Sequence, residues 1–150
     1  GEVFVFVFFG LVATIGSAYV QTDALFGLAA AVAVPVGLLA TALLVVNNLR
    51  DIPSDTAARK NTLAVRLGDL RTRWLYVLLL VGAFLCLIPV AGLSQIGAAL
   101  AFAAIPFARK PVEQVLGGAT GPALIPVLGG TGRVQLAFGA FLTLGLALSA

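Results

Sequence analysis

Leu28-Ala29-Ala30-Ala31-Val32-Ala33-Val34-Pro35-Val36-Gly37-Leu38-Leu39-Ala40-Thr41-Ala42-Leu43-Leu44-Val45-Val46 runs without one charged side chain. It turns polar at once into Asn47-Asn48-Leu49-Arg50-Asp51-Ile52-Pro53-Ser54-Asp55. An apolar run of about 20 residues, rising 1.5 Å each, is what a helix needs to cross about 30 Å of hydrocarbon. Two carboxylates, Asp51 and Asp55, follow where the run ends. Acidic groups at a membrane boundary are costly without a cationic partner, and such residues mark function.

Composition agrees. The chain is 61% hydrophobic and only 10% charged, with mean hydropathy +1.11. Soluble domains carry about 25% charged residues, so the fold class is an all-α integral membrane protein whose outer faces meet a lipid bilayer. The net charge of +3 comes without aromatic residues interleaved among the basic ones, so no nucleic acid partner is implied. One cysteine, Cys86, excludes an intrachain disulfide and reads as a small buried apolar side chain. Histidine is absent, which removes imidazole bases and ligands and leaves carboxylates to do any metal chemistry. Gly1-Glu2 opens an apolar run with no initiator Met or basic leader, so the chain reads as a piece of a longer protein.

Hydropathy divides the chain into about five spans, at 3–20, 24–46, 74–93, 95–108 and 134–150, with a motif loop over 47–73. Thr22 or Asp23 is placed to cap the second span, Pro35 to kink it, Trp74 to anchor the third at the interface, and Ser94 to cap the fourth. The fourth is short for a crossing. Sidedness argues for it nonetheless: Arg50, Arg59, Lys60, Arg66, Arg71 and Arg73 fall after span two, and Arg109, Lys110 and Arg133 after span four. Five crossings put every basic residue on one side, which the positive-inside rule makes cytoplasmic. Pairs such as Gly10/Gly16 and the Gly97/Ala98/Ala101 cluster read as helix-packing positions. The Gly- and Pro-rich segment 110–133 reads as loop or interfacial structure.

The acidic pair has the spacing that sets two side chains on one helical face. Mg²⁺ takes hard oxygen ligands and is commonly held by one or two carboxylates together with substrate phosphates. Pro53 disfavours helix at Ile52, so Asp51 is expected to end one helix and Asp55 to open another. Arg59, Lys60 and Arg66 lie near enough in sequence to neutralise diphosphate oxygens. Solvated loop charges, a topology signal in the basic cluster, and C-capping by Asn47 and Asn48 are the simpler readings of each feature alone.

The whole string decides between them. Asn47-Asn48-x-Arg50-Asp51-x-x-x-Asp55, followed by Lys60-x-Thr62-Leu63-Ala64-Val65-Arg66-Leu67-Gly68, resembles the second aspartate-rich motif of the UbiA superfamily of intramembrane prenyltransferases. Gly1-Glu2, Phe9-Gly10 and Tyr19-Val20-Gln21 agree with the helix preceding that motif. The similarity is strongest to members serving menaquinone biosynthesis, and it covers essentially all 150 residues as roughly the C-terminal half of a member. It implies part of a nine-helix bundle in the cell membrane, with the motif loop cytoplasmic.

The implied reaction is Mg²⁺-dependent transfer of a polyprenyl group from a polyprenyl diphosphate to dihydroxynaphthoate, with loss of CO₂. Asp51 and Asp55 would be the catalytic metal ligands, and Asn47, Asn48, Arg50, Lys60 and Arg66 the diphosphate binders. The implied partners include the missing N-terminal half of the same enzyme, which carries the first aspartate-rich motif. Relatives carry Gly where this chain has Arg59, so a continuous helical turn is expected there instead of a positive-φ residue. Tyr19 and Gln21 fall on the far side of the first span, as packing or interface residues. Another aromatic acceptor, or a non-catalytic membrane module, is the alternative. A transporter half calls for charges near mid-span, and the five ranges hold none. The Asp-Gly-x-x-Ala-Arg string of CDP-alcohol phosphotransferases is absent.

Overall fold

A computed structural model describes residues 1–92 and 96–149. Among these the chain is helical, with no strand. Four helices are long and apolar enough to cross a membrane: α1 (Glu2–Thr22), α2 (Gly27–Ala57), α4 (Asp69–Gly92) and α6 (Gly121–Leu148). A short helix, α3 (Leu63–Leu67), sits between the second and third of these. Residues 96–116 form α5, a 3₁₀ stretch Ile96–Ala104 running into an α-helix Ile105–Leu116.

The fourth expected span, 95–108, falls on α5, which is not among the four long apolar helices. It still runs from one end of the bundle to the other. At one end the Gly97 amide donates to Ser149 Oγ at 2.9 Å, and at the other Arg73 donates to the Val115 carbonyl. Its 3₁₀ half explains the reach, because 3₁₀ geometry rises about 2.0 Å per residue against 1.5 Å in an α-helix. Residues 96–108 thus extend about 24 Å, close to the thickness they face. The expected Ser94 cap lies outside the described residues.

Several expected boundaries move. The fifth span was placed at 134–150, but α6 starts at Gly121, and 110–133 is mostly helix instead of loop. Pro122 and Pro126 stand in the first turns of their helical stretches, where no amide donor is needed, so they start helix instead of breaking it. Arg133 consequently lies inside a long helix and not in a loop. Thr22 and Asp23 close α1 instead of capping α2. Asp23 takes a left-handed conformation (φ 51°) with its amide on the Tyr19 carbonyl, and the N-cap of α2 is Phe26. Cys86 is half-buried at the junction inside α4, where a buried side chain was expected.

The seam between helices is built from small residues, as lipid-embedded packing favours. A Cβ on Gly10 would lie 2.5 Å from Gly37 Cα, and one on Gly97 would lie 2.0 Å from the Gly145 carbonyl oxygen. Gly16, by contrast, faces open space. Ala98, Ala101 and Ala104 are fully buried on α5. Polar groups inside the bundle are paired: Tyr76 Oη and Thr131 Oγ1 lie 2.7 Å apart, joining α4 to α6. Trp74 is half exposed at the start of α4, as an interface anchor requires.

Candidate functional site

At about 1.5 Å per residue, α2 is about 46 Å long, so its last third projects past a 30 Å hydrocarbon layer. Asn47 to Asp55 ride on that projection. The expected break at Pro53 does not occur, and Asp51 and Asp55 share one uninterrupted helix. Ser54 Oγ donates to the Asp51 carbonyl at 2.9 Å and Thr56 Oγ1 to the Ile52 carbonyl at 2.7 Å, neither of them to the Leu49 carbonyl whose i+4 amide Pro53 removes. The buried stripe Val45, Val46 and Leu49 anchors the same face. Packing here outweighs the local preference of the residue before proline.

Each carboxylate has its own cation. Arg50 grips Asp51 with two hydrogen bonds, Nε to Oδ1 at 2.7 Å and Nη2 to Oδ2 at 2.8 Å. Asn47 Nδ2 reaches the same Oδ2 at 3.4 Å. Asp55 is buried (8% exposed), yet its partner Lys60 is loosely held, with Nζ 3.5 Å from Oδ1 and two-thirds of its side chain exposed. Lys60 is also near enough for its charge to act on Asp51.

The chain end of α2 explains this placement. Arg59 adopts φ 55°, its amide donates to the Thr56 carbonyl at 3.1 Å, and the Lys60 amide reaches back to the Asp55 carbonyl at 2.8 Å. That double bond is a Schellman closure with Arg59 in the left-handed position. The expected continuous turn at Arg59 is thus overturned: the arginine takes the conformation a glycine would adopt freely. The closure fixes the Lys60 backbone to Asp55, and so holds the ammonium beside the carboxylate. Thr62 then caps α3, its hydroxyl accepting from the Val65 amide at 3.3 Å. Arg66 stands exposed on α3 and makes no ion pair among the described residues.

Sequence reasoning missed two neighbours. Asn48 Nδ2 donates to Glu2 Oε1 on α1 at 2.9 Å, and the Glu2 side chain is nearly buried, with its other oxygen 3.5 Å from the Gly1 nitrogen. A carboxylate only accepts, so this bond fixes the amide with its nitrogen toward Glu2 and its oxygen free. The signal was present: a carboxylate opening an apolar span is costly unless it has a job. The second neighbour is an open apolar groove of ≈ 560 Å³ between α1, α2 and α6. Phe9, Leu43, Leu44 and Leu128 line it, and Asn47 and Gln135 are its polar members. Tyr19 is half exposed near the far end of α1, away from the motif.

Among the described residues no three acidic, histidine or cysteine side chains converge. Two carboxylates with nearby amide oxygens suit Mg²⁺, which completes its shell with water and phosphate oxygens instead of a closed protein cage.

Comparison with known proteins places this site inside a family match. The profile of the UbiA prenyltransferase family covers residues 1–109. The chain is 44% identical over 136 residues to the 1,4-dihydroxy-2-naphthoate octaprenyltransferase of Mycobacterium leprae, covering 91% of this chain and 46% of that protein. It is 46% identical over 136 residues to the Mycobacterium tuberculosis protein of the same name, again covering 91% and 46%. The Escherichia coli protein of that name is 37% identical over 151 residues, covering 99% of this chain and 49% of its own length. The chain therefore spans about half the length of these curated relatives. No solved structure matches it.

Proposed function

Because this chain belongs to the UbiA prenyltransferase family, we propose that it is the C-terminal half of an enzyme of menaquinone biosynthesis. That enzyme transfers a polyprenyl group from its diphosphate to 1,4-dihydroxy-2-naphthoate, with loss of CO₂, giving demethylmenaquinone. The names of the relatives support the acceptor. The observation that carries the reading is the juxtaposition of Asp51 and Asp55 on one helix, cation-paired, beside the mouth of an apolar groove.

Asp51 and Asp55 hold Mg²⁺ in this reading, and Asn47 and Asn48 add oxygen and amide contacts around it. Bound Mg²⁺ supplies Lewis-acid stabilisation of the departing diphosphate. Arg50 and Lys60 leave their carboxylates as the diphosphate enters, and donate to its oxygens as charge builds on the leaving group. Lys60 is free to move because it is mostly exposed and loosely held, and a bound Mg²⁺ would replace the cation that the buried Asp55 carboxylate gives up. Exposed Arg66 can approach the same oxygens. The apolar groove takes hydrocarbon and excludes water, so that an allylic cation is attacked by the electron-rich ring before solvent reaches it. The motif end of the bundle faces the cytoplasm of the cell, as its basic residues favour.

The test is Asp51→Asn and Asp55→Asn in a family-length protein that includes this chain, assayed by radiolabelled prenyl transfer at saturating Mg²⁺. Each is expected to lower turnover by more than about 100-fold, the scale seen when an electrostatic transition-state contact is removed. Turnover near the parent level in both variants would overturn the assignment. These 150 residues alone are expected to be inactive, because they span only about half the length of the relatives.

A further inference from the structure

The last two helices enclose a second pocket that the reaction above does not use. It has a volume of ≈ 230 Å³ and is lined by Phe107, Lys110 and Gln114 from α5 and Pro126, Gly130 and Arg133 from α6, among others. Gly130 makes it possible: a Cβ there would lie 2.7 Å from Pro111 Cγ, so the two helices approach closely at the pocket floor.

We propose that this pocket binds the phosphate headgroup of an anionic phospholipid. Its lining includes two cations and no carboxylate. The nearby acid on α5, Glu113, is turned to Arg109, which donates to it at 2.8 Å. Neither Lys110 nor Arg133 has an ion pair or side-chain hydrogen bond among the described residues, and Gln114 adds an uncommitted amide beside them. An arginine inside a membrane helix is costly without an anionic partner, and the described residues provide none.

Depth points to a headgroup. Lys110 follows the apolar run 96–108, and Arg133 precedes the apolar run 134–148, so both cations mark the same edge of the hydrocarbon. Phosphate lies at that level, and basic pockets between helices are the usual seats of anionic lipids. Phe107 is half exposed at the pocket, and Leu144 is half exposed farther down the same face of α6, offering a path for acyl chains.

Helical geometry separates this pocket from the candidate active site. Pro126, Gly130 and Arg133 recur at the i, i+4, i+7 spacing that shares one face. Leu128 and Gln135, which line the groove beside Asn47, each lie two residues on from a pocket position, about 200° around the helix. The ligand is therefore not the diphosphate substrate.

The test uses a family-length protein reconstituted in nanodiscs of phosphatidylglycerol or of phosphatidylcholine. Native mass spectrometry reads retained lipid, and thermal unfolding reads Tm. The parent protein is expected to retain phosphatidylglycerol on release, and to melt a few degrees higher in it than in phosphatidylcholine. Lys110→Gln/Arg133→Gln should abolish both differences while leaving turnover in phosphatidylcholine unchanged. The exposed single variant Lys110→Gln should weaken retention by itself, and so decides the matter if the double variant does not fold. Retention that survives these substitutions would overturn the proposal. So would equal stabilisation in phosphatidylcholine by millimolar inorganic phosphate, which would make this a free-anion site.

Discussion

Two helix ends on the same side of the bundle are closed by the same backbone device and put to opposite use. At the end of α5, Gly118 takes the left-handed position (φ 87°), with its amide on the Val115 carbonyl and the Ala119 amide on the Gln114 carbonyl. At the end of α2, Arg59 takes that position. Around the first, Arg73 is almost fully buried and makes four hydrogen bonds: two to Asp69, one to the Val115 carbonyl and one to the Ala119 carbonyl. Around the second, Lys60 stands mostly exposed against Asp55 at 3.5 Å. Saturated, inward-facing charge locks helices together. Half-committed charge at a water-facing end is available to a ligand.

The contrast breaks first, and most severely, at Arg73. Arg73→Ala removes its four hydrogen bonds and leaves the half-buried Ala119 carbonyl without this donor, while the Val115 carbonyl keeps the Gly118 amide; the cost is roughly 1–3 kcal/mol. The expected outcome is a large fall in Tm with prenyl transfer per folded molecule little changed, measured by thermal unfolding beside the radiolabel assay. Loss of turnover without loss of Tm would place Arg73 in the chemistry and erase the distinction.

Smaller effects sharpen the comparison at the two left-handed residues. A side chain in that conformation costs about 1–2 kcal/mol, while glycine adds about 0.4–1 kcal/mol of unfolded-state freedom. Arg59→Gly should therefore stabilise the fold by about 0.5–1 kcal/mol, and Gly118→Ala should destabilise it by a similar amount. Opposite shifts in Tm check this, and equal signs would contradict it. Turnover of Arg59→Gly should stay close to the parent value, because the Schellman closure that positions Lys60 is retained.

How far the sequence could be read follows from what each signal measures. Hydropathy reports where hydrocarbon begins, and the charges at Arg50, Lys110 and Arg133 mark that edge. It does not report where helices end, so α2 runs on to Ala57 and α6 begins at Gly121, beyond the apolar cores that announced them. Prolines misled in both directions. Pro53 suggested a break that packing overrides, and Pro122 and Pro126 suggested loop where they open helices. The motif itself was legible because its spacing is local. Glu2 against Asn48 was not, since 46 positions separate them and only the close approach of Gly10 and Gly37 brings α1 and α2 into that register.

Crystals of a family-length protein grown with Mn²⁺ and an unreactive prenyl diphosphate analogue would test the central claim most directly, through the anomalous signal of the metal. The account predicts a manganese peak in contact with oxygens of Asp51 and Asp55, with Arg50 and Lys60 turned from those carboxylates onto the diphosphate. A peak remote from both aspartates, with the Arg50–Asp51 and Lys60–Asp55 pairs intact, would contradict it.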